Sequence, residues 1–198
     1  MNYSLRCHCG TVQANVDTAR HAGRAVCYCA DCQAYARFLG QQGTQLDDKG
    51  GTEIIATLPR HVRFTAGSDQ LACMSLSDNG LLRWYAACCR TAIGNTPRDP
   101  KVSYVGLVRA CLPGSEAQIT EAFGPRSITL NTKAAHGQVA PTPVAMFFAV
   151  IKIMRNVVGS RIGGKYRQNP FFKPDSSEPV VAPVSLTPAQ RKALDTAD

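Results

Sequence analysis

From the N-terminus to about residue 111, apolar positions come in short runs alternating with polar ones, the period-two signature of half-buried strands. Leu5–Val16 reads as strand, turn at Gly10, strand, with Val12, Ala14 and Val16 on one face. Arg24–Cys27 is a further extended piece, and Glu53–Thr57, Val62–Thr65, Leu71–Leu76, Leu81–Tyr85 and Ser103–Cys111 follow as strands between Gly, Pro, Asp and Asn punctuation. Asp78-Asn79-Gly80 predicts a hairpin turn. One stretch breaks the period: Ala30–Leu39 has helical spacing, with Tyr35, Phe38 and Leu39 facing inward. The pattern predicts a mainly β fold, a small antiparallel sheet.

The rest of the chain reads differently. Thr142-Pro143 has the form of an N-cap followed by proline at the first helical position. Between Val144 and Val158 only Lys152, Arg155 and Asn156 are polar. A helix this apolar is buried in a core, packed on a partner or laid shallowly on a membrane. Ending at Val158 it is about 24 Å long, short of a ~30 Å hydrocarbon core, and two cations interrupt it. Burial, or a homodimer through Pro143–Val158, is therefore the expectation, with no membrane span. Pro174–Pro183 reads as an extended tail, and Thr187 with Gln190 supplies a capping box for a last short helix. Three segments result: a β domain over 1–112, a basic, partly helical extension over 113–173 packed on it or on a partner, and a tail over 174–198.

Composition adds two facts. The chain has 198 residues, is 44% hydrophobic and 18% charged, so it can bury a core and is not disordered. Its net charge of +8 is segregated: Ala122–Pro174 holds eight Lys/Arg and no acid, leaving fourteen of each sign elsewhere. Those cations are neither clustered nor interleaved with aromatics, so a solvated face is preferred to a nucleic-acid surface. All nine cysteines lie at or before Cys111. Met1–Gly10 has no signal-peptide pattern, so a reducing, cytoplasmic setting is expected, where cysteines serve metals or thiol chemistry rather than disulfides.

Cys73 and Cys111 are isolated and read as small buried hydrophobes. The others cluster. Cys27, Cys29 and Cys32 sit where an extended segment turns into the Ala30–Leu39 helix, so their three sulfurs can converge, with amides at the helix start donating to thiolate. Three thiolates suit zinc, and three protein ligands with one open position are the arrangement of catalytic zinc. The alternative is a site closed by a remote fourth residue. Cys7 and Cys9 form a second half-site flanking an outward-facing His8, and its natural partner is the Cys88/Cys89 pair. Together these would make a structural zinc cross-link.

Three stretches carry a resemblance: Cys7-His8-Cys9-Gly10-Thr11-Val12, Cys27-Tyr28-Cys29-Ala30-Asp31-Cys32-Gln33 and Arg83-Trp84-Tyr85-Ala86-Ala87-Cys88-Cys89-Arg90-Thr91. In order and spacing they resemble the glutathione-dependent formaldehyde-activating enzyme family, which includes centromere protein V, over about residues 1–112. The resemblance implies an all-β zinc fold with a structural site on a C-x-C pair plus a C-x-x-C-G pair. It also implies a catalytic site on the C-x-C-x-x-C triplet, here Cys27, Cys29 and Cys32. The third stretch departs from the pattern: aligning Cys89-Arg90-Thr91 with the family's Cys-Gly-Thr puts Ala86 where a cysteine belongs and Arg90 where glycine does. Either Cys88 substitutes through a local change of backbone, or the site is three-coordinate, closed by water, or lost.

The activity implied is that of a carbon–sulfur lyase or synthase joining a small thiol such as glutathione to formaldehyde. Asp31, inside the triplet, is a candidate proton relay, with a simpler role as a helix-start carboxylate. Arg37, one turn beyond, is a candidate docking cation for anionic glutathione. The alternatives are a non-catalytic zinc or thiol redox protein using the same cysteines, and a zinc-built module binding nucleic acid through the basic segment.

Overall fold

The computed structural model describes residues 2–21 and 23–196. In chain order the elements are β1 (Asn2–Arg6), β2 (Gln13–Asp17), β3 (Gly23–Cys27), α1 (Ala30–Leu39), α2 (Gln42–Gln45), β4 (Thr52–Thr57), β5 (Val62–Ala66), β6 (Leu71–Ser75), β7 (Leu82–Ala86), β8 (Ala92–Thr96), β9 (Val105–Val108), α3 (Glu116–Phe123), β10 (Arg126–Leu130), α4 (Pro143–Ile162), β11 (Val184–Ser185) and α5 (Pro188–Thr196). Strands β1, β2 and β5 make a small antiparallel sheet. A larger sheet of eight strands runs in the order β10-β3-β4-β9-β8-β7-β6-β11.

The alternation read in the sequence is what lets the small sheet cover the large one. Leu5, Ala14 and Val16 point inward from β1 and β2, and meet Ile55, Trp84 and Leu107 of the larger sheet in one apolar cluster. Phe171 closes this cluster, with its ring centroid 5.1 Å from that of Trp84. On another face, α1 packs Ala34, Tyr35 and Leu39 against Met74, Ala92 and Val108. The Tyr35 hydroxyl donates to the Trp84 carbonyl at 2.8 Å, so the ring is buried without losing a hydrogen bond.

Several elements depart from the sequence expectation. The inner strands of the large sheet are antiparallel, but both edge strands, β10 on β3 and β11 on β6, are parallel additions from the C-terminal half. The sheet therefore continues past residue 112, with β10 at one edge and β11 at the other. Strand β8 was not expected because Ala-Ile-Gly-Asn-Thr is buried at every position and shows no alternation. Gly94 there is required by contact: a β-carbon would sit 2.9 Å from the Gly106 carbonyl oxygen. Ser103–Cys111 yields a strand over Val105–Val108 only, then a 3-10 turn. Helix α3 was also missed, although Ser115 and Gln118 form a full capping box at its start.

Helix α4 runs to Ile162, four residues beyond the predicted end, to 20 residues or about 30 Å. The expectation that it would be buried is not met, for only Ser160 is buried along it. Its Ala145 and Ala149 touch the apolar cluster around Ile54 and Ile128, while large apolar residues on the opposite side face solvent.

One polar network holds the base of β3. Arg24 is fully buried, and its guanidinium donates to Glu53 at 2.8 Å, to Glu116 at 2.9 Å and to the Gly124 carbonyl at 3.0 Å. It thereby ties β3 and β4 to both ends of α3.

Candidate metal centres

Two groups of cysteines bring their sulfurs within 4.8 Å of one another, Cys7/Cys9/Cys88/Cys89 and Cys27/Cys29/Cys32. All seven are the cysteines singled out in the sequence. Four thiolates around one zinc at about 2.3 Å lie about 3.8 Å apart, which is the yardstick for both groups.

The first group joins the two sheets. Cys7 leaves β1 in a turn closed by the Gly10 amide on the Cys7 carbonyl at 2.9 Å, with Gly10 at φ 81°. Burial raises the Cys7 thiol, and the Val12 amide, donating to Cys7 Sγ at 3.2 Å, only partly offsets this. Cys88 and Cys89 lie in the turn between β7 and β8, where the Arg90 amide bonds the Ala86 carbonyl at 2.8 Å. Arg90 takes φ 57°, the left-handed conformation in which glycine is at ease. Its guanidinium is held by the Phe38 carbonyl and stacks 5.3 Å above the Phe38 ring, contacts that offset the backbone cost. That local change of backbone lets adjacent cysteines share one site. Cys7 Sγ is 3.5 Å from Cys9 Sγ and 3.9 Å from Cys88 Sγ, and Cys88 Sγ is 3.9 Å from Cys89 Sγ.

Four donors at these spacings fit a closed tetrahedral ion such as zinc. His8 is exposed, and its ring does not belong to the sulfur group. Cys9 is pulled down to about 6 by hydrogen bonds from the Thr11 side chain and backbone. Cys89 is lowered too: burial raises it, and the Thr91 hydroxyl and amide outweigh that.

The second group sits at the junction of β3 and α1. Cys27 is the last residue of β3, Cys29 is the N-cap of α1, and Cys32 lies in its first turn. The Cys32 amide donates to Cys29 Sγ at 3.4 Å, so a sulfur takes the place that serine or aspartate oxygen usually fills. Cys27 and Cys29 sulfurs are 3.3 Å apart. Hydrogen bonds from the Cys29 and Cys32 thiols pull Cys27 down to about 2, against its burial. Cys29 and Cys32 are correspondingly raised, chiefly by sharing their protons with Cys27. A divalent cation held by all three sulfurs would displace the protons they share. Three soft donors fit an ion such as zinc, and no fourth His, Cys, Asp or Glu among the described residues joins them.

Residues outside the cysteine motifs complete this site. Asn131 donates from Nδ2 to Cys27 Sγ at 3.4 Å, reaching it from the loop after β10 with φ 54°. Gln33 ties the same loop down through the Ala134 carbonyl at 2.9 Å and the His136 ring at 3.1 Å. Arg83, only 3% exposed, contributes a positive charge that lowers Cys32. Beside the triplet opens a cavity of about 490 Å³ lined by Cys29, Ala30, Asn131, Lys133, Pro143 and Met146 among others. Of the three cysteines, Cys29 alone lines it.

Asp31 does not face this cavity; it is paired with Arg191 of α5 at 2.7 Å and with Arg83 at 3.6 Å. Arg37 donates to the Leu194 carbonyl at 3.2 Å and is likewise not part of the cavity wall. Asn131 and Lys133 carried no sequence signal, since neither lies in a motif. Arg83 stood inside the third stretch but was not singled out. Cys73 and Cys111 are both buried in the core between the sheets, as expected.

The chain belongs to the Family of unknown function (DUF6151), which matches residues 2–182. No curated protein is significantly similar in sequence. Among solved structures, the crystal structure of a Rhodobacter sphaeroides protein from a structural-genomics programme is similar at 19% identity, covering 58% of this chain and 92% of that one, with a TM-score of 0.40.

Proposed function

We propose that the Cys27–Cys29–Cys32 triplet holds a zinc ion with one position open toward the neighbouring cavity, and that the site joins a small thiol such as glutathione reversibly to formaldehyde or a related electrophile. The observation that carries this reading is the pairing of three convergent sulfurs with a cavity that one of them, Cys29, helps to line. A zinc ion bound there supplies a positive centre that lowers the pKa of an incoming thiol.

The chain's own residues supply the remainder. Asn131 fixes Cys27 and offsets part of its charge. Arg83 balances the negative charge of three thiolates gathered in a poorly solvated place. Lys133, on the cavity wall, suits a substrate carboxylate, a role first assigned to Arg37. Asp31, paired with two arginines, holds the start of α1 to α5 and is better suited to support than to proton relay. In the net reaction a sulfur lone pair forms the carbon–sulfur bond, the carbonyl π pair moves to oxygen, and the thiol proton ends on that oxygen. The reverse breaks the same bond, which makes the protein a carbon–sulfur lyase or synthase by class.

A second reading, a metal-binding or redox protein without turnover, draws on the same low Cys27 pKa and on the 3.3 Å between Cys27 and Cys29 sulfurs. Zinc-loaded protein incubated with glutathione and formaldehyde separates them. Formation of S-(hydroxymethyl)glutathione above the uncatalysed rate, abolished by Cys29→Ser, supports the lyase; zinc release on mild oxidation with no turnover supports the second reading.

A further inference from the structure

Helix α4 has two unlike faces. Ala145, Ala149, Ile153, Val157 and Ser160 recur at helical spacing, are at least partly covered and look toward the protein body. The other side carries Val144, Phe147, Phe148, Ile151, Met154, Val158 and Ile162, all exposed, with Phe147 and Phe148 at 61% and 64%. Lys152 and Arg161 stand at the two borders of this apolar arc, and Arg155 stands within it. An exposed apolar strip, interrupted by Arg155, on a helix about 30 Å long is a contact surface in search of an apolar partner.

We infer that this face lies on an anionic phospholipid surface, with the helix axis in the plane of the interface. Charge decides between the apolar partners available. From Ala122 to Pro174 there are eight cations and no acid. Pairing two copies of the helix would bring Lys152, Arg155 and Arg161 together with nothing in the segment to neutralise them. An anionic bilayer takes the phenylalanines into its acyl boundary and the cations among its headgroups, with long side chains snorkelling outward. The body-facing side decides between lying on the bilayer and crossing it. Ala145 and Ala149 are engaged with the cluster around Ile54 and Ile128, so one side of the helix is already occupied by protein. A crossing would also place two cations, Lys152 and Arg155, within the hydrocarbon. The inference does not depend on the metal reading.

Co-sedimentation of the full chain with vesicles of phosphatidylcholine, with and without phosphatidylglycerol, tests it. Binding is expected only with phosphatidylglycerol and is expected to weaken as salt rises. Lys152→Gln, Arg155→Gln and Arg161→Gln should each reduce it roughly fivefold, about a hundredfold together. Phe147→Glu with Phe148→Glu should abolish it while the circular dichroism stays that of the parent, since both rings are exposed. No binding to phosphatidylglycerol vesicles at low salt, or equal binding by the double phenylalanine variant, overturns the inference. Retention through a high-salt wash would indicate a span instead. Dimerisation in lipid-free sedimentation velocity, lost in the double variant, would assign the face to a second copy.

Discussion

The two sulfur clusters are made of the same residue and differ in almost everything else. Cys7, Cys9, Cys88 and Cys89 come from turns on two different sheets, and two of the four are exposed. Cys27, Cys29 and Cys32 come from one strand–helix junction and are at least half-buried, and a cavity opens beside them. On the proposed reading, coordination number rather than burial is what separates a cross-link from a reactive centre. Four donors leave no room for a substrate however open the site is to water, whereas three leave a corner free even inside the protein.

The largest effect expected from breaking this contrast is on folding. Cys7→Ser or Cys89→Ser removes a sulfur from the candidate four-thiolate site between the β1–β2 hairpin and the β7–β8 turn. Much of a metal contribution on the order of 10 kcal/mol should go with it, read as a steep fall in the zinc-dependent unfolding midpoint. Arg24→Met comes next. Leaving the largely buried Glu53 with only the more distant Arg126 should cost about 1–3 kcal/mol in urea unfolding, with the zinc content of folded protein unchanged.

The same network carries a pH dependence. Burial raises the Glu116 carboxyl, but the Arg24 hydrogen bond and the charges of Arg24 and Arg126 outweigh it and hold it below its usual value. Stability from Glu116 is therefore present above its unfolded pKa and is lost as pH falls through the folded one. Acid titration of the unfolding midpoint should show a larger loss in the parent protein than in Arg24→Met, where Arg126 still faces Glu116.

Cys29→Ser should remove one zinc per chain and all thiol–aldehyde turnover while costing less stability than Cys7→Ser, since it unties no second sheet. Asn131→Ala should be milder still, weakening metal affinity at the triplet about 10–100-fold and leaving the four-cysteine site unaffected, as competition with a chelator would show.

How much of this the sequence disclosed follows from the range of each interaction. Helix α1 was legible because the spacing of its inward positions is local; Gly40, at φ 65°, closes it as the C-cap. All seven clustered cysteines were legible because cysteine spacing is itself a chemical signal. Strand β8 was hidden because a strand buried on both faces has no alternation to read. Strand β10 and Asn131 were hidden because a parallel edge strand and the loop after it acquire meaning only against β3, some hundred residues earlier. The α4 sequence revealed how apolar the helix is, but not that one side of it would stay uncovered.

The central claim is that one site is closed and the other has a corner free. Cobalt substituted for zinc reads this directly, since the visible ligand-field bands of a four-thiolate site differ from those of a three-thiolate site carrying an exchangeable ligand. Titrating glutathione into cobalt-loaded protein should shift one set of bands, lost in Cys29→Ser, and leave the other set unmoved. Two sets of bands both indifferent to the thiol, or both lost together in Cys29→Ser, would contradict the account.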